Sequence, residues 1–154
     1  MENVKMVCFD MDGTIANLYA VNGWLDRLRK EDATPYREAL SMWDMQKLRQ
    51  ALLTLINRGV EVRIITWLSM NSSETYKKAV REAKKDWLAM MGFPYTHFHA
   101  VQYGATKADS VRRYLKEGET AILIDDNEQV RNGWHLGATI DPATCNILKI
   151  LAEI

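Results

Sequence analysis

The sequence predicts a three-layer α/β fold, a mostly parallel sheet with helices on both faces. Three observations lead there. Short apolar runs alternate with amphipathic helical stretches along the whole chain. Two of the runs, Val4–Phe9 and Thr120–Ile124, are apolar on both faces, as strands sandwiched between two helical layers must be. Three runs also end on a polar group, Asp10, Thr66 and Asp125. A parallel sheet brings such groups to one edge, the carboxyl edge, where ligands bind in open α/β sheets.

The first predicted strand, Val4–Phe9, is a short apolar run that stops at Asp10. Around 22–30 a short helix is expected. The next helix shows Met45, Leu48, Leu52, Leu55 and Ile56 on one face, with Ser41 and Asp44 read as a capping box at its start. Gly59 stops it, and 60–66 (VEVRIIT) follows as a strand. Asn71 with Glu74 opens a long helix whose apolar stripe is Tyr76, Val80, Ala83, Trp87 and Met91. The alternating 97–101 segment is a weaker strand. Thr106 and Asp109 form a capping box that predicts a helix to about Lys116. Thr120–Ile124 is a buried strand, followed by a short helix over 128–135, a strand at 138–140 and a last helix from Thr144.

With 154 residues and no repeat, low-complexity tract or Pro/Gly-rich linker, the chain reads as a single domain over 1–154, with a small insertion at about 16–43. Its 47% hydrophobic and 26% charged content is that of an ordinary globular protein. Formal net charge is zero, so no global field draws it to nucleic acid or an anionic membrane. Cys8 and Cys145 are too few for a disulfide framework and fit no metal-binding spacing; both read as buried thiols. There is no secretory signal pattern and no apolar run of membrane-spanning length, so a soluble, cytoplasmic protein is expected.

Four elements carry chemistry. Asp10-Met11-Asp12-Gly13-Thr14 follows the first strand, and carboxylates at i and i+2 in a loop can face one centre, with Gly13 allowing the sharp turn. Carboxylates at the end of a buried strand are costly unless a cation or hydrogen-bond donors compensate them. Asp125-Asp126-Asn127 repeats that problem after the Thr120–Ile124 strand and invites a hard cation with oxygen ligands. Lys107 stands in the first turn of a predicted helix, where its charge opposes the helix dipole unless an anion is bound nearby. Thr66 offers a hydroxyl, and the amide after it, to a phosphate oxygen. Each also has a plain structural explanation, such as an Asx turn, a helix N-cap, a solvated lysine or a strand-end threonine.

In order and spacing these elements resemble the four motifs of the haloacid dehalogenase (HAD) superfamily: an Asp-x-Asp-x-Thr loop, a Ser/Thr after the second strand, a Lys, and a late acidic pair. Here they read Asp10 to Thr14, Thr66 in IITWLS, Lys107 in GATKAD and Asp125-Asp126 in ILIDDN. The resemblance implies a Rossmann-like, HAD-like sheet and a Mg²⁺-dependent two-step phosphohydrolase. In it Asp10 is the nucleophile and Asp12 the general acid and base. Mg²⁺ would be held by Asp10, the Asp12 carbonyl, Asp125 and Asp126. Thr66, Lys107 and backbone amides at Met11 and Trp67 would hold the phosphoryl oxygens, while Gly13 and Thr14 support the loop. An acid at Asp12 points to the phosphatase branches rather than to dehalogenases.

The insertion carries Tyr19, Trp24, Tyr36 and Trp43 beside Arg27, Arg29 and Arg37. Aromatics can stack a base and arginines can hold a second phosphate. The plan resembles compact deoxyribonucleotidase-like members and the phosphatase domains of polynucleotide kinases. A nucleotide such as a (deoxy)nucleoside monophosphate is therefore the expected substrate, with a nucleic-acid 3′-phosphate end as alternative. Lys77, Lys78, Arg81, Lys84 and Lys85 form a basic stripe that would suit the latter, but such a run is usually a solvated face. His97 and His99 make a poor metal site, and Trp134 with His135 reads as packing. A different class, a HAD-like binding or regulatory domain without activity, would retain the same pattern but release no phosphate.

Overall fold

The computed structural model describes residues 3–154. Its main sheet has five parallel strands: β1 (Val4–Phe9), β4 (Glu61–Trp67), β5 (His97–Val101), β6 (Thr120–Ile124) and β7 (Thr139–Ile140), in the order β5-β4-β1-β6-β7. Between β1 and β4 lie a two-residue antiparallel pair, β2 (Ala16–Asn17) with β3 (Leu40–Ser41), and the helices α1 (Trp24–Arg29), α2 (Thr34–Glu38) and α3 (Met45–Asn57). The remaining helices are α4 (Glu74–Met91), α5 (Glu128–Asn132) and α6 (Ile147–Ala152). This is the Rossmann-like α/β architecture expected.

Strand alternation builds the two apolar layers. Val7 and Phe9 of β1, Val62 and Ile64 of β4, and Ile122 and Ile124 of β6 face Leu48, Leu52, Leu55, Trp87, Ile147 and Leu151 on one side. Met6, Cys8, Ile65, Ala121 and Leu123 face Ala108, Val111 and Trp134 on the other. Because β1 is central and pairs Phe9 with Ile64 and with Ile124, the residues that follow these positions emerge together. The chain runs from β1 outward through β4 and β5, then returns across β1 to β6. The reversal puts a crevice at the carboxyl end of β1.

Several boundaries differ from expectation, for local reasons. Helix α3 is capped by Asp44, whose carboxylate accepts from the Lys47 amide at 3.1 Å, while Ser41 is committed to the β2–β3 pair. Helix α4 is capped by Ser73, not Asn71, and Ser73 is itself gripped by the Glu31 carboxylate. The helix expected over 106–116 is two 3-10 turns, Lys107–Ser110 and Arg112–Tyr114. Thr106 makes no capping bond there, and the Ser110 hydroxyl donates back to the Lys107 carbonyl. The last helix starts at Ile147 behind an Asn146 cap. Trp134 is buried, but His135 is exposed with φ +52°, and Cys145 is only half-buried. Among the described residues no helix is long and apolar enough to cross a membrane.

Candidate active site

The loop after β1 is wound tightly around one carbonyl. The Met11 oxygen accepts the amides of Thr14, Ile15 and Ala16, and Gly13 turns the chain at φ +82°. A Cβ at Gly13 would run into the Asp126 carboxylate and the Tyr19 ring, so the first loop and the acidic pair touch only because this residue has no side chain. Among the described residues neither the Met11 nor the Asp12 amide has a protein acceptor. Thr14 ties the two loops together: its hydroxyl donates to Asp10 Oδ2 at 3.0 Å and accepts from the Asp126 amide at 3.2 Å.

Lys107 is 4% exposed and its ammonium bridges Asp10 Oδ1 and Asp125 Oδ2, each at 2.8 Å. Burial opposes its charge, but these two carboxylates outweigh burial and raise its pKa. The lysine is therefore no solvated surface charge. Asp125 is raised to about 6 by burial and then by the Asp10 charge; Asp126, whose side chain reaches solvent, is raised to about 7 by local desolvation and then by Asp10. Asp12 is also raised, first by burial, against the pull of Lys84.

Lys84 was not singled out by sequence. It belongs to the basic stretch of α4 read as a solvated face, and for this residue that reading is wrong. Its side chain is 1% exposed, and Nζ donates to Asp12 Oδ2 at 3.0 Å, Thr66 Oγ1 at 2.6 Å and the Trp67 carbonyl at 2.8 Å. The signal was present: Tyr76, Val80, Lys84 and Leu88 are spaced four apart and all four are buried, so the lysine lies within the apolar row rather than beside it.

Asp10, Asp12, Thr66, Lys107, Asp125 and Asp126 all line one cavity of about 630 Å³. Its walls are Tyr19, Trp24 and Tyr36 from the 16–43 segment, and Trp67 and Tyr103 opposite. Trp67 donates Nε1–H to the Ala105 carbonyl at 2.9 Å, which fixes its ring. Of the three arginines singled out in the segment, only Arg29 lines the cavity. Arg27 is spent on Asp32 and Glu38, and Arg37 on Asp86. Trp43 braces the first loop instead, donating Nε1–H to the Thr14 carbonyl.

The donor set fits a hard cation. Asp10, Asp125 and Asp126 can each offer a carboxylate oxygen within 4.8 Å of the others, and they are the one such cluster among the described residues. His97 and His99 take no part; His99 Nε2 lies 3.0 Å from the Arg63 guanidinium. Four carboxylates, Asp10, Asp12, Asp125 and Asp126, face two ammoniums, Lys84 and Lys107. A divalent cation would balance the remainder; burial, and after it the neighbouring carboxylate charge, is what raises Asp12, Asp125 and Asp126 without one.

No family model matches the chain, and no curated protein matches it. Among solved structures, the chain is similar to one in the structure of the Pnkp1/Rnl/Hen1 RNA repair complex, with a TM-score of 0.60 and 17% identity. The match covers 92% of this chain and 43% of that one, so the likeness is one of fold over less than half of the larger protein.

Proposed function

We propose that the protein is a Mg²⁺-dependent phosphomonoester hydrolase of the haloacid dehalogenase type, acting through an aspartyl-phosphate. The observation that carries this reading is the convergence of Asp10, Asp12, Thr66, Lys107, Asp125 and Asp126 on one cavity at the carboxyl edge of the sheet. The resemblance named each of these residues.

A carboxylate oxygen of Asp10 attacks phosphorus, and the bond to the leaving oxygen breaks as the Asp10–phosphorus bond forms. The Asp12 carboxyl, its pKa raised by burial, gives its proton to that leaving oxygen. A water then attacks phosphorus and returns a proton to Asp12, releasing phosphate and restoring the Asp10 carboxylate. The Met11 and Asp12 amides, the Trp67 amide, the Thr66 hydroxyl and the Lys107 ammonium hold the phosphoryl oxygens. Mg²⁺, held by Asp10, Asp125, Asp126 and the Asp12 carbonyl, would cancel charge between a carboxylate nucleophile and an anionic substrate. Gly13 and Thr14 keep the two acidic loops in contact.

The cavity volume and its aromatic walls support a nucleotide-sized substrate, such as a (deoxy)nucleoside monophosphate, with the 16–43 segment serving as a small cap. A second reading, hydrolysis of a nucleic-acid 3′-phosphate end, is favoured by the fold likeness to a chain of an RNA repair complex. Phosphate release with Mg²⁺ and with EDTA, over nucleoside 5′- and 3′-monophosphates, sugar phosphates and 3′-phosphorylated oligonucleotides, tests both. Magnesium-dependent release from the mononucleotides supports the first, and release confined to oligonucleotides the second. No release from any of them overturns the hydrolase.

A further inference from the structure

We infer that Lys84 is a positioning residue of this site, which orients the general acid Asp12 and the Thr66 hydroxyl together; the inference rests on the phosphatase reading. An ammonium has three donors, and all three are used: on Asp12 Oδ2, Thr66 Oγ1 and the Trp67 carbonyl. Two of these acceptors belong to side chains that line the cavity. Holding Asp12 by Oδ2 leaves Oδ1 as the oxygen free to carry the proton for the leaving group. Because Thr66 Oγ1 accepts from Lys84, its own O–H is left to donate, and among the described residues it has no acceptor, so a phosphoryl oxygen in the cavity is its natural partner.

A purely structural role accounts poorly for the charge. Lys84 sits in the buried row Tyr76–Val80–Lys84–Leu88, where a methionine or leucine would pack without the large desolvation cost of an ammonium. The Tyr36 ring, with its centroid 5.1 Å from Nζ, closes the remaining side, so the group is enclosed by partners and has little freedom to reorient. The charge comes from α4, an element that no sequence motif of the site includes, and it reaches the loop after β1 and the end of β4 at once.

The test is a leaving-group comparison on the full-length protein with Mg²⁺. Wild type, Lys84→Met and Lys84→Gln are assayed for kcat/KM on p-nitrophenyl phosphate, whose leaving group needs little protonation, and on an alkyl phosphate, which needs a general acid. Thermal melts are run on each variant. The expected result is that both variants lose on the order of 10²-fold more on the alkyl than on the aryl ester. In an Asp12→Asn background the same substitutions should no longer change the alkyl-to-aryl ratio, since the two residues act as one unit. Equal losses on both esters, or loss of the fold in both variants, would assign Lys84 to stability and overturn the inference. A wild type that releases phosphate from neither ester nor from any of the nucleotides and 3′-phosphorylated oligonucleotides overturns the phosphatase reading itself, an outcome separable from any behaviour of the variants.

Discussion

At the floor of the cavity, Lys84 and Lys107 are almost fully buried and every bond they make runs to a carboxylate, hydroxyl or carbonyl at the sheet edge. Across from them, in the 16–43 segment, Arg27 binds Asp32, Glu38 and the Thr34 hydroxyl at the surface. Both regions are ionic, yet they differ in what water does to them. At the floor the two ammoniums are shielded from water, so each charge is strong and an unmatched one is costly. In the 16–43 segment water screens the pairs, and their contribution is small. Charge at the floor therefore faces the candidate site, while charge above it joins short helices that have little core of their own. That segment is also fastened to α4, by Arg37 to Asp86, Glu31 to Ser73, and the Trp87 indole to the Ala39 carbonyl.

The largest expected effect is at the floor. Asp10→Asn should lower Mg²⁺-dependent phosphate release by ~10⁴-fold or more while far-UV circular dichroism stays unchanged, because the exchange is nearly isosteric. Comparable turnover in the variant would remove Asp10 as the nucleophile. Next comes Lys107→Met, which strands the Asp10 and Asp125 carboxylates without their shared cation. In EDTA it should cost about 3–5 kcal/mol in urea unfolding, and Mg²⁺ should recover part of that loss. A neutral result would mean that the floor is as well hydrated as the segment above it.

A third effect follows from pH. Burial, and after it the Asp10 charge, pushes Asp125 up to about 6 and Asp126 up to about 7, above the ordinary carboxylate value. From pH 4 to 7 the folded state then holds more protons than the unfolded one, so in EDTA these two groups make stability fall as pH rises. A cation requires both acids ionised, so the rise in melting temperature on adding Mg²⁺ should grow over the same interval. Melts from pH 5 to 8 with and without Mg²⁺ measure both, and a Mg²⁺ shift independent of pH would contradict the proposed ligands.

The smallest effects belong to the 16–43 segment. Arg27→Ala should leave turnover of p-nitrophenyl phosphate unchanged and lower the melting temperature only slightly, less still in high salt. Asp32 is held down to about 2, first by the Thr34 hydroxyl and amide and then by Arg27. Its contribution is present above pH 4 and lost as pH falls toward 2, which Trp24 fluorescence can follow. A large activity loss in Arg27→Ala would place Arg27, and not only the aromatic walls of this segment, among the working parts of the site.

The alternation of apolar runs and amphipathic helices was enough for the parallel sheet, because each strand's period and each helix's stripe are local properties of the chain. The acidic loops and Thr66 were legible for the same reason, since each follows directly from the end of a strand that sequence can recognise. Lys107 was legible by position although the helix expected to carry it is a 3-10 turn. Helix starts were misplaced at Ser41 and Asn71, where several capping residues stand close together and tertiary partners decide which is used. Lys84 was missed because a run of lysines on a helix reads as a solvated face, even though its spacing from Val80 and Leu88 puts it on the buried side.

What the sequence by itself determined is the order of the elements and the polar groups waiting at the strand ends. What only the tertiary structure decided is which charges meet: that Lys84 reaches Asp12 and Thr66, that Arg27 and Arg37 turn away from the cavity, and that Gly13 lets Asp126 lie against the first loop. The physical reason is range. Periodicity and capping act within one or two turns of chain, whereas a buried ion pair such as Lys84 with Asp12 joins residues from distant elements, and its partners exist only once the core has excluded water.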